Sequence, residues 1–127
     1  NPLITIGAHT HNHLSLKSLS KEECIQEIKK SKEILENLLN CKVNHFSYPY
    51  GTKNDVSERE FKLVEGLGFK SAVTTSVGIL SKKNLFNLPR IHINEKVNKK
   101  ILKFKLSIYY IFYKKIQSIL NLVKVFN

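Results

Sequence analysis

The stretch "GAHTHNH", residues 7–13, decides how this chain is read: it places His9, His11 and His13 within five positions, directly after the apolar run "PLITI". A β-branched run ending at Gly7 has the pattern of a buried strand, and its C-terminal end then delivers the histidines. His9 and His13 are four apart. If the chain turns helically after the strand, both imidazoles face one point, as metal-ligand pairs do. Neutral imidazole suits Zn, Co, Ni or Fe. A catalytic zinc site takes three protein ligands and leaves a position for water, so two histidines require a third ligand from elsewhere. By itself the spacing also fits a polar surface loop.

Working outward, "LSKEECIQEIKKSKEILENLLN" has the pattern of a helix. Ser20 caps it, Glu23 three residues on completes a capping box, and Leu19 can staple Cys24. Ile25, Ile28, Leu35 and Leu38 are expected on one face, with Asn40 ending the helix. "VNHFSYPYG" follows as a second strand running into a loop at Pro49 and Gly51. "VSEREFKLVEGLG" repeats the helix-start pattern: Ser57 caps, Glu60 closes the box, Val56 staples Phe61, and Gly66 and Gly68 punctuate the end. "FKSAVTT" is a third strand, and "LFNLPRIHI" contains a possible fourth. This alternation is that of parallel βαβ units, in which chemistry gathers at the C-terminal ends of strands. "GAHTHNH" and "SYPYG" both fall at such ends.

The chain has 127 residues, no methionine and a formal charge of +11. Its length suits one domain, and its first residue, Asn1, suggests a segment of a longer product. The charge is uneven: residues 1–94 carry 13 Lys+Arg against 9 Asp+Glu, while residues 95–127 carry 8 Lys against Glu95 alone. Residues 1–94 are therefore expected to form the globular part and 95–127 a separate basic tail. From Ile101 the tail carries Phe104, Ile108, Phe112, Ile116, Ile119, Val123 and Phe126 at steps of three or four, with lysines mainly opposite. This is the pattern of a C-terminal amphipathic helix. Its apolar run from Leu106 to Tyr113 is far shorter than the ~20 residues needed to cross a bilayer. A basic amphipathic helix suits an anionic membrane surface or a partner chain. Lysines would also suit phosphates, but no base-reading module is present, so no specific nucleic-acid partner is expected. Cys24 and Cys41 fall near the two ends of the first helix, ~25 Å apart at the helical rise, which no disulfide bridges.

The sequence resembles the polysaccharide deacetylase family of carbohydrate esterases over roughly residues 3–94. "HTHNH" matches the family's H-[ST]-x-x-H motif at His9, Thr10 and His13, and "HFSYPYG" matches its Pro-aromatic-Gly loop at Phe46, Tyr48, Pro49, Tyr50 and Gly51. "GLGFKSAVTT" and "LPRIHI" follow in the family's order. The resemblance implies an α/β fold, part of a distorted (β/α) barrel, that removes acetyl groups from amino-sugar polymers. It implies that His9 and His13 bind a divalent metal, most readily Zn with Co or Ni as alternatives, and that Thr10 braces the loop. His11 falls at a free position. It further implies that the Tyr50 N–H helps hold the oxyanion, that Tyr48, Pro49 and Arg90 line the substrate groove, with Arg90 pairing with a carboxylate near the site, and that His92 is the nearest candidate for the general acid. His45 is expected at the surface.

The chain departs from the family in lacking the T-[FY]-D-D-G motif that supplies the base and the third metal ligand, and in having Ser47 where some members have arginine. A chain without that motif is expected to be inactive alone. The parent protein would belong to the cell envelope, the membrane or the secreted fraction. The competing reading is a truncated remnant that binds metal or glycan without turnover. Without the family's first strand, Ile4–Ile6 is expected as an exposed sheet edge.

Overall fold

A computed structural model describes residues 3–76, 78, 80, 83–103, 105–107 and 112. The chain divides into two compact units, Asn1–Arg90 and Ile91–Asn127.

In the first unit a short 3-10 turn, Leu16–Ser18, leads into α1 (Lys21–Leu39), β1 (His45–Ser47), α2 (Glu58–Gly66) and β2 (Ser71–Val73). Both helices start as their sequences dictate. The Ser20 Oγ accepts the Glu23 N–H at 3.2 Å, and the Glu23 carboxylate accepts the Ser20 N–H at 2.8 Å. At α2 the Glu60 carboxylate accepts both the Ser57 N–H and the Ser57 hydroxyl at 2.7 Å, while the Glu60 N–H donates to the Ser57 carbonyl at 3.1 Å. The Ser20–Glu23 box satisfies two N–H groups that a helix start leaves unpaired, and Glu60 secures the start of α2 through Ser57. Asn40 ends α1 in the left-handed conformation, φ 49°, which asparagine tolerates better than most residues.

β1 and β2 are parallel, with His45 opposite Ser71, Phe46 opposite Ala72 and Ser47 opposite Val73. Single parallel bridges extend the sheet on both sides, Ala8 to Phe46 and Val73 to Leu88. Four chain segments therefore lie side by side in sequence order. All run the same way, with α1 and α2 as the first two of the three crossovers. The expected fourth strand is present as the Leu88 bridge, held by the Thr74 N–H to the Leu88 carbonyl at 2.9 Å and the Leu88 N–H to the Ala72 carbonyl at 3.0 Å. No barrel closes among the described residues.

Two sequence expectations are corrected here. The run before the histidines is not a buried strand: its sheet bridge is made at Ala8, and Ile4 and Ile6 are exposed. The apolar exposure expected at this edge is there, but the strand is not, because a single neighbouring strand secures one residue of the run. On α1 the buried stripe is Cys24, Ile28 and Ser31 with Leu35 partly buried, whereas Leu38 is 77% exposed. The helix is rotated so that a small polar residue, Ser31, whose hydroxyl bonds the Ile28 carbonyl, takes the inner position.

The core joins Ala8, Leu16, Cys24, Ile28, Val43, Phe46, Tyr48, Val56, Val64, Phe69 and Ala72. Phe46 is its centre, with its ring 5.2 Å from Tyr48 and 5.3 Å from Phe69. Burying such rings is worth about 1.5–3 kcal/mol each. Both cysteines are free, Cys24 buried and Cys41 exposed.

In the second unit, residues 99–103 and 105–107 are helical. The Asn98 side chain accepts the N–H groups of Lys100 and Ile101, both at 3.0 Å, and so caps this segment. Phe104, Ile108, Ile116, Ile119, Val123 and Phe126 of the expected amphipathic stripe lie outside the described residues. No helix among the described residues is long and apolar enough to cross a membrane.

Candidate active site

Ala8 is the last residue of the first segment to be held by the sheet. Its N–H donates to the His45 carbonyl at 2.8 Å, and its carbonyl accepts the Ser47 N–H at 2.9 Å. His9 therefore leaves from a fixed point at the C-terminal end of the sheet. The chain then turns without forming a helix. Thr10 (φ 60°) and His13 (φ 56°) both adopt the left-handed conformation, which side chains with a Cβ rarely take. The buried Thr10 Oγ1 accepts the His13 N–H at 3.1 Å and closes the turn. The expected meeting of His9 and His13 occurs, with ring centroids 4.8 Å apart and planes at 69°. Two left-handed residues and a threonine bond achieve it in place of a helical turn.

His9 is held by its ring as well. Its Nδ1 lies 2.6 Å from the Ser47 carbonyl. A carbonyl oxygen only accepts, so Nδ1 carries a proton here, and in the neutral ring Nε2 is the nitrogen that holds the lone pair. This is the arrangement in which a backbone carbonyl orients a ligating imidazole. Ser47 thus contributes through its main chain. His13 lies between His9 and Tyr50, whose ring is 4.9 Å away at 72°.

The loop after β1 forms the second wall. Tyr50 has φ 58°, and the Gly51 N–H reaches back to the Pro49 carbonyl at 2.5 Å. This two-residue bond around a positive φ is a strained γ-turn. Gly51 follows at φ 65°, and a Cβ there would lie 2.8 Å from the Thr75 nitrogen; only glycine fits. Thr75, just past β2, secures the turn. Its N–H donates to the Gly51 carbonyl at 2.9 Å and its hydroxyl to the Tyr50 carbonyl at 2.8 Å. The Tyr50 side chain is 56% exposed, and no described residue accepts its N–H.

Of the three expected groove residues, two are buried. Tyr48 is fully buried, with its hydroxyl donating to the Phe86 carbonyl at 2.9 Å, and Pro49 is buried beside it. Burial, with the nearby charges of Glu60 and Glu58, pushes the Tyr48 phenol far above its usual range, so it serves as a neutral core donor. Residues two apart along a strand share a face, so with Phe46 inward Tyr48 is carried inward with it. Arg90 is exposed and, among the described residues, its guanidinium meets no carboxylate. Its Nε donates to the Thr74 carbonyl at 2.7 Å. It therefore ties the Leu88 segment to the end of β2. His92 is exposed and belongs to the second unit, where its carbonyl accepts the Lys105 ammonium at 3.0 Å. His45 is exposed, as expected, with Nδ1 2.9 Å from the Ser71 hydroxyl.

Several supporting residues carried no sequence signal. Glu27, one of five glutamates on α1, bonds the histidine loop through both of its oxygens. Downstream, Asp55 anchors the loop exit. It accepts the Ser15 hydroxyl at 2.9 Å, and hydrogen bonds led by that from the Thr52 side chain hold its carboxyl below the usual range. Arg59 donates to the carbonyls of Leu16 and Leu19 at 3.1 and 2.9 Å and pairs with the buried Glu60.

For a divalent metal, His9 and His13 fit as neighbouring nitrogen donors, one already oriented by a carbonyl. Among the described residues no set of three His, Cys, Asp or Glu side chains completes such a site.

Comparison with known proteins agrees with this geometry. The sequence profile of the family described as polysaccharide deacetylase matches residues 1–71. YxkH of Bacillus subtilis, a curated protein with a polysaccharide deacetylase name, is 30% identical over 92 residues. The match covers 72% of this chain but 32% of that protein, so the chain spans about a third of its curated relative. Among solved structures, the Streptococcus pyogenes deacetylase PplD, in complex with acetate, is 31% identical with a TM-score of 0.70. There the match covers 78% of this chain and 43% of that one. A polysaccharide deacetylase from Bacillus cereus shares the fold with a TM-score of 0.70 at 20% identity, over 82% of this chain and 32% of that one. The profile matches more than half of the chain, including the histidine loop and the Pro-Tyr-Gly turn, and on that ground the chain belongs to the polysaccharide deacetylase family.

Proposed function

We propose that the chain carries part of the active site of a metal-dependent deacetylase, one that hydrolyses acetyl groups from N-acetylated amino-sugar polymers by cleaving a carbon–nitrogen bond that is not a peptide. The observation that carries this is the His9–His13 pair, with His9 oriented by the Ser47 carbonyl. In this reading His9 Nε2 and a His13 ring nitrogen hold the cation, most readily Zn, with Co or Ni as alternatives. When bound, such a cation polarises a carbonyl and lowers the pKa of water. The Tyr50 N–H, held in its γ-turn by Thr75, faces no competing acceptor among the described residues and is assigned to the developing oxyanion. The exposed Tyr50 ring offers a face for a sugar. His92 is assigned as general acid on the family resemblance alone, and the folding unit is assigned to a distorted β/α barrel on the same basis. The cell envelope, membrane or secreted fraction is the compartment in which such a polymer would be met.

A second reading is favoured by one observation: the described residues supply two metal ligands and no third. On that reading the chain binds metal or glycan without turnover, and its basic tail, residues 96–127, meets an anionic membrane surface or a partner chain. Acetate release from acetylated chitooligosaccharides, measured with added Zn, Co or Ni, separates the two. Release that vanishes in His9→Ala supports the enzyme. Metal binding without release by this chain is expected under both readings, since the base-supplying motif is absent from it, and absence of both binding and release overturns the pair.

A further inference from the structure

The histidine loop is held in a conformation that its own sequence does not favour. Thr10 and His13 are both left-handed, and the two residues between them, His11 and Asn12, are exposed. Backbone of this kind persists only where surrounding groups over-determine it. One such group is internal, the Thr10 hydroxyl on the His13 N–H. The other comes from α1. The Glu27 carboxylate accepts the His11 N–H at 3.2 Å and the Asn12 N–H at 2.8 Å on one oxygen, and the Asn12 side-chain amide at 2.6 Å on the other. Glu27 lies between the inward-facing Cys24 and Ile28, both fully buried, so the helix that carries it is itself fixed by the core.

From this we infer that Glu27 is a positioning residue: it fastens the segment between His9 and His13 to α1 and so sets the separation at which the two imidazoles present their nitrogens to a cation. It does not touch the cation. Two of its three bonds are made to the backbone of the loop and the third to the Asn12 side chain, and charge-assisted bonds of this kind are about twice as strong as neutral ones. Outer groups that orient ligands typically change metal affinity by about 10–100-fold when removed. The inference rests on the proposed ligation by His9 and His13.

The test is a Zn2+ titration of the chain by competition with a chromophoric chelator, for wild type, Glu27→Ala, Glu27→Gln, His9→Ala and His13→Ala, with the melting temperature of each. Glutamine keeps an uncharged acceptor for the two backbone N–H groups but sets an amide nitrogen against Asn12. The expected result is affinity about tenfold weaker in Glu27→Ala and about threefold weaker in Glu27→Gln, with both variants folded and both histidine variants losing the site. Wild-type affinity in a folded Glu27→Ala would overturn the role of Glu27 while leaving the histidine ligation standing. If Glu27→Ala does not fold, Glu27→Gln decides by the same measure, wild-type affinity again overturning it. Zn2+ binding that is absent from wild type, or unchanged in His9→Ala and His13→Ala, would sink the ligation itself and the inference with it.

Discussion

The Nδ1 of His9 lies 2.6 Å from the backbone carbonyl of Ser47, 38 residues away in sequence. That contact joins the ends of two neighbouring parallel strand segments and fixes which nitrogen of His9 faces outward. It is made possible by the register that places Ala8 beside Phe46.

His9 and His13 are both exposed, so their removal should cost function and little stability. His9→Ala and His13→Ala should each weaken Zn2+ binding by at least about tenfold, with melting temperatures within a few degrees of wild type. Binding that survives either change at full strength would show that the imidazole is not a ligand.

Thr10 is buried and its hydroxyl closes the loop on the His13 N–H. Thr10→Val keeps the shape and removes the acceptor. It should cost about 1 kcal/mol in urea unfolding, because the part-buried His13 N–H loses its partner. Thr10→Ser should retain most of the stability. Equal midpoints for all three proteins would refute the bracing role.

Gly51 combines φ 65° with a missing Cβ that would otherwise lie 2.8 Å from the Thr75 nitrogen. Gly51→Ala should therefore destabilise by more than about 1 kcal/mol and disturb the Tyr50 turn. Thr75→Val, which removes the bond to the Tyr50 carbonyl but not the backbone bond to Gly51, should cost about 1 kcal/mol. Chemical denaturation of the two variants checks both, and a neutral Gly51→Ala would mean that the loop relaxes freely.

Glu60 is fully buried and paired with Arg59. Burial alone would raise its pKa. Hydrogen bonds from the Ser57 side chain, Arg59 and the Ser57 N–H, with the Arg59 charge, outweigh burial and hold it below the ordinary carboxylate value. A folded pKa below the unfolded one means stability that is present above the unfolded value, near 4.5, and is lost as pH falls through the folded one. Wild type should lose stability on acidification below about pH 4.5, and Glu60→Gln should flatten that slope. At neutral pH Glu60→Gln should be destabilised by about 1.5–3 kcal/mol, the scale for losing hydrogen bonds to a charged buried acceptor, since the Arg59 guanidinium stays partly in solvent. Identical pH profiles would remove Glu60 as the cause.

The tail carries eight lysines against Glu95. Flotation with anionic vesicles, with and without residues 96–127, should show binding that depends on the tail and falls as salt is raised. Equal flotation of both forms would end the membrane reading.

Local sequence logic determined a good part of this protein. Ser20 with Glu23 and Ser57 with Glu60 fixed where both helices start, because a capping box is decided within four residues. The alternation of strand and helix fixed the parallel sheet and the end at which the histidines emerge. The His-Thr-x-x-His and Pro-Tyr-Gly spacings marked both walls of the candidate site. What the sequence left open depended on groups distant along the chain. Burial of Tyr48 rather than its exposure follows from its packing on Phe46 and Phe61 and its bond to Phe86. The partner of Arg90 became a backbone carbonyl because Thr74 lies just past the end of the neighbouring strand β2. Glu27 looked like any other helix-surface glutamate, since its role arises only when α1 folds against a left-handed loop fifteen residues upstream. Propensity and capping act between neighbours in sequence. Which carboxylate, carbonyl or ring meets the histidines is settled only when long loops close, and that was decided by the tertiary structure.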